Sequence, residues 1–490
     1  MTPGPEGWEE PYRLKKLDEL RALGLDPYQD GFRRTVAIGG VLPDFDVHLG
    51  EHHSIAGRLR AIRGHGKAVF ADIEDESGRL QLHLRKDLLN DAFAVVELLD
   101  VGDIVGAEGT LFRTRRGEPS LEVTGLHILA KALRPLPEKR HGLADPDLRY
   151  RHRYLDLIAN ENVRRVFATR SRVVAEIRHF LDERGFLEVE TPILSTVASG
   201  AAARPFSTFF NAMGEEAYLR IATELHLKRL LVGGFPKVYE IGHVFRNEGV
   251  DRHHNPEFTM LEVYEAYGDE ESMMRLTEEM VAHVALAATG SHTVEIEGVT
   301  IDFTPPWRRI SVPQRIREAT GIRIEDLATG EDWRRAARQA GVPSESQIPD
   351  AKVVEGFYEK FIEPDCIQPT HVYDYPLIIS PLARRHQDRP NLTRRFEPFC
   401  MGYELGNGFA ELNDPLDQRQ RFLDQLRQRQ AGDEEAQALD EDFLLALEHG
   451  MPPAGGLGIG VDRLVAILTG QSSLRDVILF PFTRTKDPAP

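Results

Sequence analysis

Leucines recur every third residue at Leu14, Leu17, Leu20 and Leu23, and this spacing predicts a short amphipathic helix over 9–23, stopped by Gly24. From Ser54 to Leu129 the period shortens to two. In "RLQLHLRK", Leu80, Leu82 and Leu84 alternate with Arg79, Gln81, His83 and Arg85, as in a half-buried strand. The preceding "AVFADIEDESG" reads as a strand entering an acidic, glycine-ended turn. "DIVGAEGTLFRTRRGEPSLEVTGLHIL" adds further short strands split by glycine-containing turns. Short strands so closely spaced predict a small β-barrel, and the OB-fold fits best. A proline-broken basic stretch, "KALRPLPEKRHGLADPDLRYRHRYLDL", predicts a domain boundary near residue 140.

Beyond it, Val173, Val174, Ile177, Phe180 and Leu181 form one apolar stripe and predict a helix over 168–184, ended at Gly185. "FLEVETPIL" alternates as a strand and meets Pro192, which cannot donate to a ladder and so marks an edge or a break. Such an edge fits a subunit interface, and it equally fits packing within one chain. "AYLRIATELHLKRLLVGGF" reads as strand then helix. "KVYEIGHVF" and "MLEVYEAY" read as two strands of a hairpin with a long tip. Residues of about 310–365 read as a polar helical insertion. "FEPFCMGYELGNGFAEL" returns to strands, and "PAGGLGIGVDRLVAILTG" reads as a glycine-rich turn running into a helix.

Composition narrows the class. A chain of 490 residues, 41% hydrophobic and 28% charged, is expected to form two or three domains with sizeable cores. No run of about 18 apolar residues occurs, so no membrane helix is expected. "MTPGPEGWEE" lacks the basic start and apolar centre of a secretory signal. Two cysteines, Cys366 and Cys400, exclude a disulfide framework or a cysteine-rich zinc site and favour a cytoplasmic protein. The net charge of -18 argues against a general nucleic-acid coat. Local basic clusters at Arg58, Arg60, Arg63 and Lys67, and at 113–116, leave local phosphate binding open.

Three segments carry candidate chemistry. In "GGLGIGVDRL", glycines permit close backbone approach and a helix start favours phosphate. Arg463 in the first helical turn opposes the helix dipole, a sign that a bound polyphosphate would reverse. In "FRNEGVDRHHNPEFTMLE", Arg246 can grip phosphate oxygens bidentately and Phe258 can stack on a base, with His254 and Asn255 as directional partners. Taken singly, a phenylalanine such as Phe258 is more often a core residue and a histidine such as His254 more often a satisfied surface one. In "FEPFCMGYELGNGFAELND", Glu397, Glu404 and Glu411 on strands near a phosphate site suit Mg²⁺, although three surface glutamates would look the same.

Together, "RGFLEVETPIL", "FRNEG…HNPEFTMLE" and "GLGIGVDRL" resemble, in order, the three signature motifs of class II aminoacyl-tRNA synthetases. The barrel points to the subgroup for lysine, aspartate and asparagine. "SGAAARPF", "LKRLLVGGF" and "NGFAELNDPLDQ" resemble its lysine-specific, bacterial-type members. The likeness runs from the barrel to "RDVILFPF". It implies an α+β chain: a helical lead-in over 1–50, an OB-fold anticodon-binding domain over 51–140, and a class II catalytic domain over 141–490 built on an antiparallel β-sheet flanked by helices.

The resemblance also implies roles. Arg246 grips the α-phosphate of ATP and Arg463 the γ-phosphate end, and both are catalytic. Glu248 and Phe258 hold the adenine, with His254, Asn255 and Glu404 also on ATP. Glu397 and Glu404 bind Mg²⁺, in up to three ions. Gly200 and Glu224 orient the α-amino group of lysine. Glu262, Tyr264, Asn407, Phe409 and Glu411 form its side-chain pocket. Phe70 and Gln81 meet the anticodon of tRNA(Lys), with Arg58 on a neighbouring strand. "RGFLEVETP" builds a homodimer, and no membrane partner is implied.

Charge logic agrees with lysine. A buried ε-ammonium needs an anion, which Glu411 supplies. An aspartate site needs a cation, and no Arg or Lys lies between Glu397 and Glu411. The rivals are a sister enzyme for aspartate or asparagine, a lysine ligase acting on a translation factor, and an RNA-binding protein with a dead catalytic domain. The barrel disfavours the second of these, and the presence of Arg246, Glu404 and Arg463 disfavours the third. Tyr403, Thr223 and His226 depart from the commoner Arg, Pro and Tyr of relatives and bear on details of the pocket. No lysine-rich segment precedes the barrel, which points to the bacterial type.

Overall fold

The computed structural model describes residues 11–64, 66–137, 143, 145–197, 199–430 and 438–483. The stretch 1–10, read as lacking a secretory signal, and the expected boundary near 140 lie outside them. The chain divides into two compact units, Met1–Ala144 and Asp145–Pro490.

In the first unit, a helix over Pro11–Ala22 precedes a closed five-stranded barrel. Its strands are β1 (His52–Arg63), β2 (Ala68–Glu74), β3 (Arg79–Arg85), β4 (Ile104–Arg113) and β5 (Pro119–Ala130), in the order β1-β2-β3-β5-β4. Period-two alternation sends Leu80, Leu82 and Leu84 inward, where they meet Ile55, Leu59, Val105 and Val123. The leucine stripe of the first helix is corrected. Leu17 and Leu20 are buried, but Leu14 and Leu23 are exposed. Steps of three residues drift around a helix, so positions nine apart face opposite ways.

The second unit is built on a nine-stranded sheet. Its strands are β6 (Leu187–Glu188), β10 (Lys237–Phe245), β11 (Glu257–Ala266), β14 (Arg308–Ser311), β15 (Thr370–Tyr373), β16 (Arg395–Cys400), β17 (Tyr403–Glu404), β18 (Gly406–Ala410) and β19 (Ala454–Gly460). The order is β14-β15-β16-β18-β19-β11-β10-β6, with β17 beside β16. The sheet is mixed rather than purely antiparallel, because its outermost pairs, β14/β15 and β10/β6, run parallel. A chain that leaves β14 and returns parallel to it needs a long crossover. The helices Val312–Thr320, Gly330–Ala340 and Asp350–Phe361 supply it and enclose their own core around Trp333 and Phe357. Smaller sheets form from β7 (Leu194–Ser195), β8 (Ser207–Phe210) and β9 (Glu215–Leu219), and from β12 (Thr293–Ile296) and β13 (Val299–Asp302).

The helices Glu161–Asp182 and Glu270–Thr289 cover one face of the large sheet. The first of them begins seven residues before the expected start, at Glu161. Val163 and Phe167 continue the buried stripe through a stretch whose charges hide it in the sequence. The opposite face is partly covered by the helices Glu224–Val232, Pro415–Gln430 and Glu441–Glu448. Between these helices the sheet face carries the buried carboxyl groups of Glu262, Glu397 and Glu411.

Candidate active site

Strand alternation assigns each side chain to a face. On β11, Leu261 and Val263 enter the helix-covered core, so Glu262 and Tyr264 face the other side. On β19, Leu457 and Ile459 enter the same core. Gly456, Gly458 and Gly460 are therefore left on the site face. The glycine run expected to be a turn is a strand, hydrogen-bonded between β18 and β11. Glycine is a poor strand former alone, and here the two neighbouring strands supply the ladder. Its bareness has a use. A Cβ on Gly456 would overlap Glu411 Oε1 and stand 2.6 Å from Tyr264 Cε1. The strand is the floor of the site.

Above that floor lie three buried carboxylates. Glu262 accepts from the Thr223 amide at 2.9 Å and from the Tyr264 hydroxyl at 3.0 Å. Burial, helped by Glu224, pushes its carboxyl up to about 7. Glu224 opens its helix and Glu411 follows β18. Burial raises both, against the pull of Lys228. Lys228 is fully buried, with Nζ 2.6 Å from Glu224 and ion-paired to Glu411. Burial pulls its ammonium down, but the two glutamates outweigh this and hold it above its ordinary value. The Phe409 ring lies 5.3 Å from Nζ. Gly200, at φ 96°, would bring a Cβ to 3.7 Å from Glu224 Cβ, so it borders this cluster.

Lys228 corrects the charge argument drawn from the sequence. The pocket does contain a cation, contributed by a helix distant in sequence from 397–411. Its anionic character comes instead from the excess of carboxylates. A glutamate–lysine pair four residues apart on a helix was the legible signal for Lys228. Arg395 is a second cation that sequence reasoning missed. It donates to Asn407 Oδ1 at 2.9 Å and to Glu397 at 2.6 Å. Asn407 is thereby tied to Arg395 rather than turned freely into the pocket. Glu397 also accepts from Tyr375 at 2.7 Å, and burial, with Glu404 adding, raises its carboxyl to about 7.

Arg246 and Arg463 converge beyond this cluster. Arg246 leaves the end of β10, half-buried, with its guanidinium 5.3 Å from the centre of the Phe258 ring. Burial lowers its pKa, while Glu248, Glu404 and Glu262 oppose that and Arg463 adds to it. Arg463 donates to the Glu404 carbonyl at 2.6 Å and lies 3.8 Å from its carboxylate, which offsets its place at a helix start. In the hairpin tip, Asp251 accepts from the amides of His253 and His254 and pairs with the exposed His254 ring at 3.0 Å. His254 is thus held by its own loop. Asn255 is buried, donates to the Glu257 carbonyl, and leaves its Oδ1 without a partner. His253 stacks on Tyr403 at 4.7 Å, a contact the sequence did not foretell.

On the barrel, Phe70 stacks flat on His83, with ring centres 4.6 Å apart, and Phe112 lies 5.7 Å beyond His83. Gln81 is opposite Asp72 on the same outer face, and its Oε1 accepts from Ser120 at 3.0 Å. Arg58 is not beside them. It pairs across from Glu74, four residues along β2 from Phe70, and donates to the Gly102 carbonyl at 2.8 Å. Arg63 is the arginine opposite Phe70, bound to Asp72 at 2.6 and 2.9 Å.

The chain is similar in sequence to known proteins. The family of class II tRNA synthetases (D, K and N) matches residues 145–484, and the OB-fold nucleic acid binding domain matches residues 53–129. The lysine–tRNA ligase of Moorella thermoacetica is 55% identical over 476 residues, 97% of each chain. That of Roseiflexus castenholzii is 54% identical over 480 residues, 97% of this chain and 98% of its own. That of Carboxydothermus hydrogenoformans is 52% identical over 476 residues, again 97% and 98%. With an OB-fold barrel, a class II sheet whose bare glycine strand floors a carboxylate-rich pocket, and full-length relatives at this identity, the chain belongs to the lysine–tRNA ligases of the class II tRNA synthetase family.

Proposed function

We propose that the bare face of the large sheet activates L-lysine with ATP, and that the product is then passed to tRNA(Lys). The observation that carries this reading is the buried trio Glu224, Glu262 and Glu411, of which Glu224 and Glu411 share the single ammonium of Lys228. A diamino acid fills such a site with two positive charges, whereas aspartate would add a negative one. Glu224, beside Gly200, takes the α-ammonium. Glu411 and Glu262, with Tyr264, take the ε-ammonium, and Phe409 lines the side-chain path. Arg246 holds the α-phosphate of ATP, and Arg463 the γ-phosphate end. Phe258, packed under Arg246, offers its ring to the adenine, with Glu248 and Asn255 nearby.

No protein nucleophile is needed. The substrate carboxylate is ionised at neutral pH. One of its oxygens attacks the α-phosphorus, the bond to the oxygen bridging the α- and β-phosphorus breaks, and pyrophosphate leaves. A hydroxyl of the terminal tRNA ribose then attacks the acyl carbon, giving up its proton as AMP departs. The protein's part is to position the reactants and stabilise charge. Glu404 raises the affinity of Glu397 for positive charge, and paired carboxylates of this kind fit Mg²⁺. Among the described residues no cluster of three or more metal-ligating side chains exists, so ATP oxygens and water would complete the shell. When bound, Mg²⁺ neutralises charge on the departing phosphates.

The outer face of the barrel, with Phe70, His83 and Gln81, suits stacking on unpaired anticodon bases. Strand β6 at the sheet edge, with exposed Leu187, Ile193, Leu194, Phe209 and Phe210, supports a homodimer. Two buried, unpaired cysteines accord with the cytoplasm. Among the described residues no helix is long and apolar enough to cross a membrane. The test is ATP–pyrophosphate exchange with lysine, aspartate and asparagine. Exchange with lysine alone is expected, and exchange with aspartate in its place overturns the reading.

A further inference from the structure

A fully buried lysine is rare and needs a reason. Lys228 sits one helical turn after Glu224, with Nζ against Glu224 Oε1 and Glu411 Oε2. One internal ammonium therefore ties the carboxylate assigned to the substrate's α-ammonium to the carboxylate assigned to its ε-ammonium. The rings of Phe409 and Phe443, at 5.3 and 5.9 Å from Nζ, flank the tie. A carboxylate has two oxygens and about four acceptor sites. In Glu411 one oxygen faces Lys228, while Oε1 lies over the bare Gly456 without a hydrogen-bond partner. That oxygen is fully buried and aimed at the floor of the pocket. Three buried carboxyl groups, Glu224, Glu262 and Glu411, stand against the one buried amine of Lys228, which leaves acceptors for a further cation.

Resting on the reading of this pocket given above, we infer that Lys228 is a specificity-determining positioning residue. As a strut between Glu224 and Glu411, it fixes the separation of the two ammonium-binding carboxylates. The pocket thereby selects a diamino acid of lysine's length over ornithine, which is one methylene shorter. An apolar pocket alone discriminates a methylene by only about 10–200-fold. Two charged ends held at a fixed separation add to this, because the shorter substrate leaves one buried carboxylate unpaired.

The test compares Lys228→Met, which keeps length and apolar volume but removes the charge, with the unaltered full-length enzyme. ATP–pyrophosphate exchange is measured with L-lysine and with L-ornithine. The lysine KM is expected to rise about 30-fold or more while kcat changes less than about fivefold, and the lysine-to-ornithine ratio of kcat/KM is expected to fall at least tenfold. A merely structural role would not move that ratio, and an unchanged ratio overturns the inference. Should Lys228→Met be recovered only unfolded, Lys228→Arg carries the test. It retains the cation, so the lysine KM is expected to stay within about fivefold while the ratio shifts; an unchanged ratio again overturns the inference. Glu411→Gln separates the two levels. If it leaves the lysine KM unchanged, the pocket reading itself fails. If it raises the lysine KM while the Lys228 variants leave the ratio intact, only the strut fails.

Discussion

The guanidinium of Arg246 lies 5.3 Å from the centre of the Phe258 ring, so the proposed phosphate grip and the proposed base platform brace one another. Arg246→Ala is expected to lower lysine-dependent ATP–pyrophosphate exchange by about 10² or more, the scale of losing one preorganised charge-stabilising donor. Arg246→Lys is expected to recover little of it, because an ammonium neither stacks nor forks. Near-normal exchange by the alanine variant would remove Arg246 from the chemistry.

Glu262 sets an expected pH dependence. Burial and Glu224 hold its carboxyl at about 7, above the ordinary 4.5. As pH falls through 7 it takes up a proton and ceases to balance the ε-ammonium. The kcat/KM for lysine should therefore rise from pH 6 to pH 8, and Glu262→Gln should flatten that rise. Stability runs the other way. Between 4.5 and about 7 the folded, ligand-free protein binds more protons at this site than the unfolded chain, so the site's contribution to stability is lost as pH rises through that window. Saturating lysine should offset the loss. Thermal melts at both pH values, with and without lysine, check the sign.

Gly456→Ala places a methyl group where Glu411 Oε1 lies and 2.6 Å from Tyr264 Cε1. The glutamate can swing aside and the tyrosine ring cannot, so the damage should fall on the lysine pocket. The lysine KM is expected to rise at least tenfold, with a much smaller change in the KM for ATP. Equal effects on both substrates would contradict the assignment of this floor to lysine.

The barrel face is tested separately. Phe70→Ala removes the ring stacked on His83. It should reduce charging of tRNA(Lys) by about 5- to 150-fold, the loss of one base stack at ~1–3 kcal/mol. Lysine-dependent ATP–pyrophosphate exchange requires no tRNA and is the internal comparison. Arg63→Ala, which frees Asp72, is expected to weaken charging more than Arg58→Ala, since Arg63 and not Arg58 stands opposite Phe70. The reverse order would return the role to Arg58.

Much of this was legible in the chain. The alternating leucines of β3 wrote their own burial, and the spacing of Val173, Ile177 and Phe180 wrote a helix face. Arg246 stood out because its guanidinium can fork onto phosphate oxygens, and Arg463 because a cation in the first helical turn opposes the helix dipole. Other features were hidden. The glycines of β19 resembled a turn, since nothing local announces that two strands flank them. The pairing of His254 with its neighbour Asp251 was not foretold either.

The sequence alone determined those elements whose apolar pattern has a helix or strand period, and their order, because such periods are local properties; the glycine strand β19 has none. It also set the inventory of charged groups. Which of those groups meet was decided only by the tertiary structure. Lys228 and Glu411 are far apart in sequence and share one buried ion pair. Arg395 reaches Asn407 because β16 and β18 are paired. Coulomb energy depends on separation in space and on burial, and neither is written in any short stretch of chain.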